Sequence, residues 1–286
     1  SYYRIPREHP TVAGFVTAMR DEETLREEFS YIPPEIPRYE NRFVGLNNGN
    51  CLMALVYTMQ AMLGYGDDYE DLKEFQQICL KGFARLAEAS SLEELTKYDA
   101  NARRKYNYPY IEAGDYFPDA YTLAMLAYTK SWRTEENVQM LAGALNHINT
   151  IMQPDNNVHV RICGKYMAPC FALVRPIRAF RPDLIDTITY RRTLSEIAML
   201  GVGKQVEVIR ESAVNVEAAL DEKGILRMSF DKPHNKHYSP KYIEYPSPYG
   251  DVRLEADYKQ EQALLCDLTF WAVEFLWLVE EKNSAV

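Results

Sequence analysis

An all-α fold built of antiparallel helical hairpins is what this sequence predicts, on three observations. Apolar residues recur at helical intervals through most of the chain. The helical segments come in pairs joined by short turns. The links between pairs are long and rich in Pro, Tyr and Asn, at roughly 31–49, 89–117, 153–168 and 221–256. Alternating short and long links between antiparallel helices gathers the long ones at one end of the bundle. Long loops on a rigid scaffold are where binding sites usually lie. With 286 residues and 47% hydrophobic content the chain can bury a sizeable core, and one domain over 1–286 is expected.

The first pair opens after "NNGN" (47–50), in which Asn48 or Asn50 suits a helix cap. In "NCLMALVYTMQAML" the positions Leu52, Leu55, Val56, Met59, Met62 and Leu63 keep helical spacing, and Gly64 and Gly66 stop the helix. Leu72, Phe75, Cys79, Phe83 and Leu86 form the apolar stripe of the second helix. In the next pair Pro118 suits the first turn of "DAYTLAMLAYTK". Thr134 caps a partner carrying Val138, Leu141, Leu145, Ile148 and Met152. "LIDTITYRRTLSEIAML" and "KQVEVIRESAVNVEAAL" read as a third pair across "GVG", and 257–282 as one long closing helix.

Net charge −9 and a pI near 5.2 argue against a nucleic-acid or anionic-membrane surface. The five cysteines (Cys51, Cys79, Cys163, Cys170, Cys266) are scattered with no C-x-x-C pair. That spacing predicts neither a disulfide framework nor a zinc site, and a reducing cytoplasm is the expected compartment. No secretory leader is visible, and Ser1 is not a natural start, which leaves room for a segment before it. The most apolar run, "LLCDLTFWAVEFLWLV" (264–279), contains Asp267 and Glu274 and falls short of the roughly 20 residues of a membrane span. A buried helix is expected there.

"PDAYTLAMLAYTKSW…NVQMLAGALNHINTIMQPDNNVHV" (118–160) and its weaker echo "VIRESAVNVEAALDEKGILRM" (208–228) each read as helix, polar turn and short extended run. This unit is similar to the helix-Q-x-D-G ending of squalene-cyclase-like repeats. The chain thus resembles the α/α toroids, the rings of helical hairpins of protein prenyltransferases, terpenoid cyclases and many polysaccharide-acting enzymes. Asn156 and Asn157 stand where the family has glycine. Neither the D-x-D-D acid nor the D-x-C zinc-ligand pair of those enzymes is present. The resemblance implies a toroid with its long loops on one face, taking a small or oligomeric ligand in a central cleft there, with no cofactor. The alternatives are a non-catalytic toroid that binds a ligand or a protein, and an enzyme similar to polysaccharide lyases or glycoside hydrolases.

"GDDYED" (66–71) spells DDxxD with Asp67, Asp68 and Asp71, the carboxylate pattern of magnesium-diphosphate sites. Asp67 also precedes a helix, with Glu70 at capping-box spacing and acids favoured by the helix dipole. Capping of the second helix by Asp67 is the expectation, and no metal site is expected.

The candidate site residues lie in the long loops. Glu112, Asp115 and Asp119 stand among tyrosines that include Tyr110 and Tyr121, a mixture suited to sugar stacking and carboxyl acid–base chemistry. Asp115 or Asp119 equally suits a cap for the helix that follows. In "RPIRAFRPD", Arg175, Arg178 and Arg181 fall at three-residue steps, so that in a helix at least two would share a face and bind a carboxylate or phosphate. In the Pro-rich "KPHNKHYSPKYIEYPSPYG", His234, His237 and Tyr238 form a His–Tyr group suited to moving protons. Asn48 of "NNGN" adds an amide for ligand binding.

Overall fold

The computed structural model describes residues 6–21, 23–25, 52–100, 108–112, 115, 117–162, 165–167, 172–182, 188–227 and 261–281. They are mostly helical, and no helix among them is long and apolar enough to cross a membrane. Where the sequence offers one domain, two compact units stand within it, residues 1–177 and 178–286.

In the first unit α1 (Pro10–Arg20) starts with proline in its first turn and ends before Asp21. α2 (Leu52–Met62) and α3 (Glu70–Glu88) make the first hairpin. A short helix, α4 (Leu92–Leu95), leads to strand β1 (Tyr110–Glu112). α5 (Ala120–Ala127) and α6 (Glu135–Ile151) make the second hairpin, followed by β2 (His159–Ile162) and β3 (Lys165–Met167).

The hairpins stand side by side, α2 against α5 and α3 against α6. The sequence explains this layering. Every residue of α5 from Tyr121 to Ala127 is buried, so this helix must be covered on all sides. α3 and α6 carry apolar stripes and polar backs, which leaves one side of each for water. Leu72, Phe75, Cys79, Phe83 and Leu86 are all buried, as are Val138, Leu141, Leu145 and Ile148 of α6. Thr58 donates to the Tyr121 carbonyl at 3.1 Å and pins α2 to the start of α5.

In this unit the short turns lie together and two of the long connections lie together; the link 31–49 lies outside the described residues. The short turns of both hairpins meet, with Asp67 accepting from the Lys130 and Ser131 N–H groups at 2.9 and 3.0 Å. Two long connections meet as well: β1, from 89–117, pairs in parallel with β2, from 153–168, and β3 adds antiparallel on the far side. Ile111 and Val160 are fully buried, so one face of this three-stranded sheet belongs to the core.

The capping expectation for Asp67 is overturned. Tyr69 is the N-cap of α3 and makes no side-chain capping bond, because the Asp67 carboxylate is engaged by the neighbouring turn. Gln76 also donates to it at 3.1 Å. Burial alone would push the Asp67 carboxyl up, but the Ser131, Lys130 and Gln76 donors outweigh it and hold the group below the usual carboxylate range. Asp67→Ala should therefore cost about 2–3 kcal/mol, the worth of charge-assisted bonds lost with their donors left behind. Asp68 faces Arg7 in a solvent-exposed ion pair, and Asp68→Ala should cost less than about 1 kcal/mol. Urea unfolding of the two variants checks the order. Equal losses would refute the cross-turn role.

The second unit is helical among its described residues. α7 (Ile188–Ile197) runs into a π-helical turn, Ala198–Val202, where Gly201 takes φ 82°; only glycine adopts that conformation without strain. α8 (Glu207–Ala219) follows, then a tight turn at Asp221–Gly224, and Leu220 bridges Leu226. α9 (Glu261–Glu281) packs on α7, the π turn and α8. Trp271 lies in this core and donates to Ser195 Oγ at 3.0 Å.

Candidate functional site

Strand register gathers chemistry on the sheet face opposite Ile111 and Val160. Tyr110 pairs with His159, Glu112 with Arg161, and Arg161 with Tyr166. Side chains alternate along a strand, so these five share one face. Lys97 exchanges both backbone bonds with Tyr110, at 2.7 and 2.8 Å, and brings the 97–99 segment alongside.

Arg161 is the hub. Its Nε donates to Glu112 Oε1 at 2.8 Å, its Nη2 reaches the same oxygen, and the guanidinium lies 4.3 Å from the centroid of the Tyr110 ring. The bond to Glu112 raises the guanidinium further above its ordinary value. Tyr166 donates to Asp99 Oδ2 at 3.1 Å and meets Tyr110 edge-on at 5.4 Å. Tyr108 stacks on His159 at 5.3 Å, and the His159 ring meets Tyr166 edge-on at 6.1 Å. Burial lowers the His159 imidazole, which is neutral at pH 7, and burial raises the Tyr166 phenol, which keeps its proton. The side chains of Arg161 and Glu112 are 29% and 27% exposed, and Tyr108 is 38% exposed. Solvent therefore reaches the ion pair and one aromatic platform.

Of the residues the sequence singles out, Tyr110 and Glu112 lie on this face. Asp115 stands at its edge, paired with Lys97 at 3.2 Å. Asp119 and Tyr121 are elsewhere in function: Asp119 is buried and caps α5, accepting from the Tyr121 and Thr122 N–H groups at 3.0 and 2.8 Å, and Tyr121 is buried beside it. The helix thus begins at Ala120, after the Asp119 cap, rather than with Pro118 in its first turn.

Arg175 is exposed in the first unit, and Arg178 and Arg181 are exposed in the second. The segment 172–182 is not helical, so the expected shared arginine face is absent there. Pro176 and Pro182 interrupt it. Asn149 holds the Ile177 backbone with bonds of 2.7 and 2.9 Å. Asn48, His234, His237 and Tyr238 lie outside the described residues.

Three members of the face, His159, Arg161 and Tyr166, are not among the residues that the sequence singles out. The signal for two of them is the alternation in "HVRI", polar residues one step either side of a buried valine.

The DDxxD carboxylates are spent on structure. Asp67 bonds the second turn, Asp68 pairs with Arg7, and Asp71 pairs with Arg20 at 3.1 Å. Among the described residues, no group of three or more His, Cys, Asp or Glu is placed to hold a metal ion. Comparison with protein-family models, curated proteins and solved structures finds no match to this chain.

Proposed function

We propose that this chain binds a small or oligomeric organic ligand at the loop-rich end of its first unit, on the sheet face made by Tyr110, Glu112, His159, Arg161 and Tyr166. The observation that carries this reading is the register of the strands, which puts five polar and aromatic side chains on the face opposite the fully buried Ile111 and Val160, with Tyr110 buried beneath the half-buried Arg161–Glu112 pair. A stabilising sheet needs only the inner face. Aromatic rings beside fixed hydrogen-bonding groups are what an organic ligand requires for orientation.

The scaffold we assign to it is the α/α-toroid type. The support is local: paired hairpins side by side in the first unit, and in the second the same order of helix, polar turn and short extended bridge. Binding is favoured over bond cleavage because the acids at the face are engaged, Glu112 by Arg161, Asp115 by Lys97 and Asp99 by the Tyr166 hydroxyl. A carboxyl acting as acid or base has to be available to the reacting atoms.

Saturation-transfer NMR with a mixed library of saccharides, organic acids, nucleosides and apolar compounds tests the site. Ligands detected with the wild type should compete with one another and disappear with both Tyr108→Ala and His159→Ala. Ligands that survive both substitutions would place binding elsewhere and end this reading.

A further inference from the structure

We propose that α1 is an arginine-latched strap: two guanidinium clamps close it on the first hairpin, and it opens as a unit of its own while the paired hairpins stay packed. Its receptors are residues that the sheet face does not use, the aspartates and tyrosines of "GYGDDYED" (64–71). Each end of α1 carries an arginine, and both arginines meet the same kinds of group. Just before the helix, Arg7 Nη1 donates to the Gly64 carbonyl at 2.7 Å, Nη2 pairs with Asp68, and the guanidinium lies 4.4 Å from the centroid of the Tyr65 ring. The Tyr65 hydroxyl donates in return to the Arg7 carbonyl at 2.7 Å. At the last residue of α1, Arg20 Nη1 donates to Gln60 Oε1 at 3.1 Å, and Nη2 reaches both oxygens of Asp71 at 3.1 and 3.3 Å. Its guanidinium lies 3.7 Å from the centroid of the Tyr69 ring. A planar cation that bonds through its edge and stacks through its face fits such a receptor, and an ammonium does not.

The sequence of α1 makes docking and helix formation one event. Its 11 residues include Pro10, Gly14 and the β-branched Thr11, Val12, Val16 and Thr17, a poor set for an isolated helix. A helix of this length is marginal in water even with good formers. Val16 and Met19 are its buried residues, three positions apart on one face, while Phe15 is 48% exposed. The hairpin thus supplies what the helix lacks, and α1 unwinds when it leaves. Solvent reaches both clamps, with the Arg7 and Arg20 side chains 41% and 29% exposed, so salt screens them. α3 and α6 are held by buried apolar stripes, which salt does not screen. Opening uncovers Tyr65, Asp68, Tyr69 and Asp71 together.

Hydrogen exchange of the full chain, read peptide by peptide in a mass spectrometer, tests the strap. The amides of α1 should exchange at least about tenfold faster than those of α3 and α6, as a separately opening unit does. Raising sodium chloride from about 0.05 M to about 1 M should speed α1 about threefold or more and leave α3 and α6 unchanged. With both Arg7→Gln and Arg20→Gln, α1 should exchange about tenfold faster than in the wild type at low salt, and most of its salt response should vanish. Arg20→Lys keeps the charge and loses the fork, so it should fall between the two and retain a salt response. Exchange of α1 in step with α3 and α6 under every condition would overturn the independent strap. A fast α1 indifferent to salt and to the arginine substitutions would overturn the latches. Loss of protection in α3 and α6 along with α1 in the glutamine variants would show that the clamps hold the hairpin itself, which also ends the proposal. The salt series on the wild type decides the first two outcomes without any variant.

Discussion

Lowering the pH from 8 to 5 should stabilise the first unit, and Asp119→Asn should abolish most of that gain. Asp119 has no exposed surface, and its Oδ1 accepts from the Tyr121 and Thr122 N–H groups while Oδ2 has no partner. Burial pushes its carboxyl up to about 7, against bonds from Thr122 that pull it down. A folded-state value above the unfolded one means that the folded protein binds the proton more tightly. The associated stability is complete below the unfolded value of about 4 and is lost as pH rises through about 7. The full span corresponds to about 4 kcal/mol, carried by one side chain. Asparagine presents the same capping oxygen without a charge, and caps about as well as aspartate. The variant should therefore match the wild type near pH 5 and exceed it near pH 8. Thermal unfolding of both proteins across that range, compared as a difference, cancels groups that titrate in common. A difference that stays flat with pH would show that Asp119 is ionised in the folded protein throughout. A loss at every pH would show that the cap needs the carboxylate.

Asp119 also marks how far sequence reasoning reaches. That an aspartate two residues after a phenylalanine and before "AYTL" suits a helix cap is a local inference, and the structure bears it out. The same holds for Thr134, which accepts from the Asn137 N–H, and for the stripe Leu72–Leu86, where spacing alone names the buried positions. Local rules fail where the partner is remote. Asp67 has the spacing of a cap, yet its donors lie 63 and 64 residues on, in a turn that becomes a neighbour only after both hairpins have packed.

The sheet face was half legible for the same reason. Tyr110 and Glu112 stand out in a tyrosine-rich loop. Their partners His159 and Arg161 sit in a four-residue strand whose pairing across the chain no local pattern encodes. Conversely, the arginines at 175, 178 and 181 look like a cluster only if the chain is helical, and two prolines with Asn149 at the backbone keep it otherwise.

Gly66→Ala should be the most damaging single-methyl change in the first unit, costing about 3 kcal/mol or more. Glycine at this position reads locally as a helix stop, but Gly64 already supplies the left-handed residue after α2, with φ 88°. Gly66 is needed for a different reason. A Cβ there would stand 2.9 Å from Ala61 Cβ and 3.0 Å from Ala61 Cα, and still closer to Thr129 Cγ2. Ala61 is backbone and methyl on α2 and has nowhere to retreat. Thr129 is buried, and its hydroxyl donates to the Met125 carbonyl at 2.7 Å, so rotating it away would strand that donor. The Gly66 carbonyl, moreover, accepts from Gln76, which also donates to Asp67. Moving residue 66 to admit a methyl therefore pulls on the bonds that join the two turns. Overpacking alone accounts for about 1–3 kcal/mol, and loosening the Asp67 bonds adds to it. Gly64→Ala meets open space beyond 3.8 Å from the Arg7 side chain and is opposed only by its positive φ, so about 1 kcal/mol is expected. The double-mutant cycle of Gly66→Ala with Asp67→Ala settles the mechanism. If the glycine acts partly through the turn-to-turn bonds, the combined loss should fall short of the sum by about 0.5–3 kcal/mol, whereas strict additivity would leave steric overlap with Ala61 and Thr129 as the whole effect.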